Sequence, residues 1–209
     1  MSIDLMDKDF GSKFHIELST TNETLRIMSP FISYKTASYL ANCLKNKSMD
    51  CTIITRFNRE EFLQGANSLE GIEALLKSGA SVYALQHLHS KLYIFDDRSA
   101  ILGSANFSMN GFFKNHELGI FVKEEEAFVG NIVEYANQLL DSIKYAGDFE
   151  VTQDRIDEEK KQISELISKR TSKSTDYKNT HRWGAIINQD ENEREKKKIY
   201  GDNIMDPGF

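Results

Sequence analysis

Proline and cysteine are both scarce, with 2 of each in 209 residues, and neither gives the chain a framework. So few prolines exclude a Pro-rich linker. Cys43 falls in a helix-like stretch and Cys51 opens a strand-like one, without metal-type spacing to each other or to a histidine. Buried reduced thiols are the expectation. Long apolar runs are missing too: none approaches the roughly 20 residues that cross a bilayer. The N-terminal MSIDLMDKDF carries acids where a signal peptide is basic and then apolar. A cytoplasmic protein is expected. No basic amphipathic helix or aromatic-rich loop suggests a membrane surface. Basic residues are outnumbered, with 26 Lys and Arg against 32 Asp and Glu and a formal net charge of -6. That sign is wrong for coating nucleic acid by charge alone, so any recognition of phosphate must be local. Lys35, Lys45, Lys47, Arg56 and Arg59 are the residues from which a basic rim could gather.

What is present suits one well-cored domain with an appendage. Apolar positions Phe10, Phe14, Ile16 and Leu18 allow a short helix, and Leu25 to Ser29 reads as a strand leading into Pro30. Ser33 can cap a helix over SYKTASYLANCLKNK, which precedes the strand CTIITRF. Asn58 and Glu61 are spaced like a variant capping box. A further helix is expected over Ser68 to Lys77, with Gly79 supplying the left-handed residue at its end. SVYALQ, HSKLYIFDD, SAILGSANFS and ELGIFVK read as four strands, with DDR as a tight turn, and EEEAFVGNIVEYANQLLDSIK as a closing amphipathic helix. Past about Gly147 charges dominate. Ile156, Ile163, Leu166 and Ile167 suit one more helix, KRTSKSTDYKNT a linker, THRWGAII an apolar patch and DENEREKKK a charge run. The expected organisation is residues 1–147 as a core domain and 148–209 as a helical, charged extension.

The most informative stretch is HSKLYIFDD followed by GSAN. Strand alternation would put His89, Lys91, Tyr93 and Phe95 on one side and Ser90, Leu92 and Ile94 on the other. An imidazole and an ammonium would then point the same way, and an anionic ligand would satisfy both. Tyr93 and Phe95 are expected in the core.

These residues resemble the HKD motif of the phospholipase D superfamily, H-x-K-x(4)-D-x(6)-G-S-x-N. His89, Lys91, Asp96, Gly103, Ser104 and Asn106 fill it without a gap. Glu117 in NHELGI lies where the family's bacterial nucleases carry a further acid. The register is unique: starting at His87 would put His89 at the Lys position and Ile94 at the Asp position. His87, His116, His15 and His181 are therefore read as incidental. The likeness extends more loosely over Leu25 to Val122.

The resemblance implies an α/β fold, an α/β/α sandwich with a mixed β-sheet flanked by helices. It also implies metal-independent phosphodiester cleavage without a cofactor. Family members bring two HKD histidines together, one attacking phosphorus to give a phosphohistidine and the other serving as acid and then base. The motif occurs once here, so the resemblance implies a homodimer joined through the active-site face around one composite site. Lys91 would hold the phosphate charge, Ser104 and Asn106 would donate to its oxygens, and Glu117 would orient His89. Asp96 is expected to fix the motif's conformation, and Gly103 to let the backbone approach the phosphate.

Short single-motif members of the family are mostly DNA-cleaving dimers, so an endonuclease acting on DNA or RNA is the first expectation. A phospholipase D-type lipid phosphodiesterase is the enzymatic alternative, and a silent binding subunit the non-enzymatic one. Because the chain is acidic, a partner such as an ATP-driven DNA translocase of a defence-type complex would deliver substrate, docking on the extension from Asp154 onward around Trp183.

Overall fold

A computed structural model describes residues 2–170 and 181–187. The charge run DENEREKKK and linker residues 171–180 lie outside the described residues. In chain order the elements are β1 (Ser2–Met6), α1 (Phe10–Thr20), β2 (Thr24–Met28), α2 (Tyr34–Leu44), β3 (Asp50–Thr55), β4 (Phe57–Asn58), α3 (Arg59–Leu63) and α4 (Leu69–Lys77). Next come β5 (Ser81–Ala84), β6 (Leu92–Phe95), β7 (Ser99–Gly103), α5 (Met109–Phe113), β8 (Gly119–Lys123), α6 (Glu126–Ala146), α7 (Gln153–Arg170) and β9 (Arg182–Trp183).

Seven strands form one mixed sheet in the order β1-β8-β7-β6-β2-β3-β5. The β2, β3 and β5 strands run parallel, linked by crossover helices, whereas β2–β6, β6–β7, β7–β8 and β1–β8 are antiparallel. Helix starts are set by side-chain caps: the Ser33, Ser68 and Ser108 hydroxyls accept from the N–H of Thr36, Gly71 and Gly111. Gly79 ends α4 at φ 94°, a backbone conformation in which a Cβ would be strained.

Strand alternation sorts the core into two layers. Leu25, Ile27, Ile53, Val82, Tyr93, Phe95, Ile101 and Phe121 face α1, α2, α4 and α5, with Phe14 of α1 packed edge-on against Tyr93 and Phe95. Met28, Ile54, Tyr83, Leu92, Ile94 and Ala100 face α6 through Ala136 and Ile143. The expected sandwich of helices on both faces of a mixed sheet is thereby realised, and Tyr93 and Phe95 are core residues, 1% and 0% exposed.

The described residues beyond 147 share that packing. Helix α7 buries Ile156 in the main core and holds Glu159 against Arg59, whose Nη2 donates to Glu159 Oε2 at 2.9 Å. Lys160 Nζ meets Glu73 of α4 at 2.5 Å. Strand β9 pairs with β4, and Trp183 stacks edge-on against Phe57 at 5.5 Å and Phe149 at 5.7 Å. The described part of the docking region expected around Trp183 is thus engaged with the domain itself. Position 147 marks a change of composition, not of packing.

Candidate active site

The C-terminal ends of β2, β3 and β5, the start of β6, the end of β7 and the start of β8 share one sheet edge. In open α/β sheets such an edge is where ligands bind. Register puts Met28 beside Leu92, Leu92 beside Leu102 and Gly103 beside Gly119, so every segment of the HxK…GSAN stretch emerges there.

His89 and Lys91 precede β6, which starts only at Leu92, and this corrects the expectation that alternation along a strand aligns them. The ladder ends because β2 gives way to the Ser29–Pro30 loop opposite Leu92, leaving Gly103 N–H donating to the Lys91 carbonyl at 3.1 Å as its last bond. The two side chains meet instead by a fold-back. Lys91 Nζ donates to the His89 carbonyl at 2.7 Å and lies 3.2 Å from Nδ1 of the His89 ring. His89 is exposed, and Lys91 is 8% exposed. Burial pulls the Lys91 ammonium below its ordinary value; the Glu117 carboxylate opposes that and the Arg56 charge adds to it.

Ser104 Oγ donates to Glu117 Oε2 and accepts the Leu118 N–H at 3.0 Å, while Asn115 Nδ2 donates to Glu117 Oε1 at 3.0 Å. The Glu117 carboxylate therefore grips Ser104 and Asn115 rather than the imidazole it was expected to orient. Both lie within its reach because β7 and β8 are paired neighbours, whereas His89 projects from the loop ahead of β6. Asn106 Oδ1 is buried with no hydrogen-bond partner among the described residues, an acceptor that only a ligand or water would satisfy.

Gly103 serves a different purpose from the one expected. A Cβ there would come within 2.4 Å of the Leu118 carbonyl oxygen and 2.5 Å of Gly119 Cα, so the missing side chain makes room for β8 and not for phosphate. Gly103→Ala is expected to cost about 2 kcal/mol by parting the two strands, read as a lowered urea midpoint with an unchanged slope.

Asp96 sits in the β6–β7 turn at φ 48°, with Asp97 at 51°. Its carboxylate accepts the N–H groups of Asn22 at 3.0 Å, Glu23 at 2.8 Å and Thr24 at 3.0 Å, pinning the turn to the start of β2. Burial pushes its pKa up, but those three amides and Arg98 outweigh it and hold the carboxyl below its ordinary value. A carboxylate depressed in the folded state stabilises above its unfolded pKa and stops doing so as pH falls through its folded one. Asp96→Asn tolerates the same backbone, so it is expected to cost about 2 kcal/mol at pH 7 through lost charged hydrogen bonds. The gap from wild type should begin to narrow as pH falls below the ordinary carboxylate value and close as it passes the lower folded one; urea melts at pH 7 and down through the acid range measure it.

Of the basic residues that might have formed a rim, Lys47 Nζ instead donates to the Leu18, Ser19 and Thr21 carbonyls, and Arg59 pairs with Glu159. Arg56 acts on the site through its charge on Lys91. Its position one residue past an apolar strand was the only hint in the sequence. Cys51 is buried, which pushes its thiol to about 12, and Cys43 is half-buried; both are free. Among the described residues no group of three or more His, Cys, Asp or Glu side chains is placed to hold a metal, and no helix is long and apolar enough to cross a membrane.

The family model described as "Cardiolipin synthase, PLD-like domain" matches residues 15–141, more than half of the chain and all of this site. The chain belongs to the phospholipase D-like family. Within it, the probable cardiolipin synthase YwiE of Bacillus subtilis (strain 168) is 24% identical over 125 residues, which are 58% of this chain and 25% of that protein. The phospholipase D-like chain thus spans about a quarter of that curated relative's length. Among solved structures, Nuc from Salmonella typhimurium, described as a phospholipase D family member, aligns with TM-score 0.53 at 20% identity, over 66% of this chain and 92% of its own. NucT from Helicobacter pylori gives 0.55 at 20% identity, over 68% and 96%. Phosphatidylserine synthase from Haemophilus influenzae Rd KW20 gives 0.51 at 16% identity, over 81% and 45%. These likenesses establish a shared phospholipase D-like fold.

Proposed function

We propose that the chain is a metal-independent phosphodiesterase, an endonuclease that cleaves DNA at a site shared by two copies of itself. The observation that carries this reading is the single motif in a domain that matches nearly the whole of Nuc and NucT but only a quarter of a cardiolipin synthase. One imidazole cannot both attack phosphorus and protonate the leaving oxygen. In the proposed cycle His89 forms a bond to phosphorus as the P–O bond breaks, and the partner subunit's His89 donates its proton to the departing alkoxide. That same imidazole then takes a proton from water, whose oxygen displaces His89 and restores both rings. Lys91 and the Asn106 amide stabilise charge on the nonbridging oxygens, and the pairing of Glu117 with Ser104 fixes the hydroxyl at their side.

A second reading has its own support, in the family model's description and in the lipid-synthase relatives. There the phosphodiester would be a phospholipid and an alcohol could replace water. Plasmid DNA and phosphatidylglycerol vesicles, each incubated with the protein in EDTA, separate the two. Nicked or linear DNA is the expected product. Turnover of the lipid alone would select the second reading, and loss of all hydrolysis in EDTA would defeat the metal-independent mechanism.

A further inference from the structure

The end of β3 carries a charged cluster that the chemistry above leaves unused. Arg56 follows Thr55 at the active edge, forms an ion pair with Glu61 and lies over the Phe31 ring, 5.3 Å from its centroid. Its backbone carbonyl accepts from Asn67 Nδ2 at 2.8 Å, and the Asn67 side-chain oxygen accepts the Ile32 N–H at 3.0 Å. Ile32 in turn bridges to Phe107, next to Asn106. Arg56 is therefore tied to the loop that carries the last motif residue.

The pairing of β4 with β9 sets Asn58 opposite Arg182 and Phe57 opposite Trp183. Arg182 is exposed there, while the Asn58 opposite it caps α3. Burial pushes the Glu61 carboxyl up, and the charges of both Arg56, its ion-pair partner, and Arg182 act against that. The hydrogen bonding of that pair is incomplete. Arg56 Nε and Glu61 Oε2 are buried without a hydrogen-bond partner among the described residues. In a chain of net charge -6, two guanidinium groups and an unused donor thus lie close to the loop that carries Asn106. A planar guanidinium fork suits a phosphate.

We propose that Arg56 and Arg182 form a subsite for the phosphate that neighbours the scissile one on a nucleic-acid strand. The proposal rests on the nuclease reading. It also gives the C-terminal extension a task, because Arg182 lies outside the residues matched by the family model and is held by β9 opposite Asn58, two residues past Arg56. Gln86 N–H donates to the Ala185 carbonyl at 3.1 Å, and Ala185 N–H to the Ala84 carbonyl at 2.8 Å, so the same strap is fastened to the segment leading into His89.

The test compares an oligothymidylate with bis(p-nitrophenyl) phosphate, which offers one phosphodiester and no neighbour. For Arg56→Gln and for Arg182→Gln, the ratio of kcat/KM on oligothymidylate to kcat/KM on the small diester should fall about tenfold, the loss of one charged contact. The salt dependence of oligothymidylate KM should flatten by about 0.7 in log-log slope. Arg56→Lys keeps the charge and should keep the slope while recovering only part of the ratio. Arg182 is exposed, so its variant reports on the subsite without a folding cost. An unchanged ratio in both Gln variants, with oligothymidylate still cut by wild type, overturns the subsite alone. Wild type that hydrolyses the small diester and leaves oligothymidylate uncut overturns the nuclease reading and the subsite with it.

Discussion

His89→Ala is expected to slow phosphodiester hydrolysis by about four orders of magnitude, since in the proposed cycle it removes the nucleophile of one copy and the proton donor of the other. The side chain is exposed, so its loss opens no cavity and the melting temperature should stay where it was. The fold-back of Lys91 also survives, because its bond at 2.7 Å goes to the backbone carbonyl of residue 89 and not to the ring. The sharper result comes from mixing. Pairing at random with a ninefold excess of His89→Ala should cut wild-type activity to about one-tenth, because nearly every wild-type subunit is then paired with a variant and has no second imidazole. Activity that stays proportional to the wild-type subunits present would mean that each copy works alone.

Glu159→Ala is expected to destabilise the fold by roughly 3–5 kcal/mol, the cost of leaving the other half of a buried pair uncompensated. Glu159 is 1% exposed and takes both Nε and Nη2 of Arg59, whose own side chain is only 15% exposed. That cost is a large share of a total stability of about 5–15 kcal/mol, and a melting point lower by about 10 °C should report it. The double change Arg59→Met with Glu159→Met should recover most of the loss, because apolar residues of similar volume replace a buried pair at little cost. An unaltered melting curve for Glu159→Ala would show α7 to be an appendage outside the cooperative unit.

Most strands and helices from Leu25 to Val122 were legible because they repeat their apolar residues with the period of their own backbone. Four elements of the fold were not. Strand β1 exposes Ile3 at 58% and Leu5 at 73%, so burial gave it no pattern, and only its ladder with β8 makes it a strand. The two-residue β4 and β9 are too short to carry any period. Helix α5 begins where a strand was read on through GSANFS; Ser108 caps it, and the Asn106 backbone packs against Gly111, where a Cβ would come within 2.4 Å of the Asn106 carbonyl oxygen.

The site divides in the same way. The order and spacing of His89, Lys91, Asp96, Gly103, Ser104 and Asn106 were readable from the chain, because hairpin geometry turns spacing along two adjacent strands into proximity. What those residues touch was not readable. Asp96 binds amides more than 70 positions away, and Glu117 settles on Ser104 and Asn115.

By itself, then, the sequence determined the kind of layered fold and the chemical set at its active edge, since both rest on local periodicity and on one contiguous motif. Tertiary structure alone decided that Lys91 folds back on His89, that the charge of Arg56 acts on Lys91, and that Val151, Ile156 and Ala185, all beyond residue 147, are buried in the core. The contact between Arg59 and Glu159 spans 100 positions of chain. No local pattern encodes such a pairing, because it forms only when separate elements close on one another and the loss of solvation leaves each charge in need of the other.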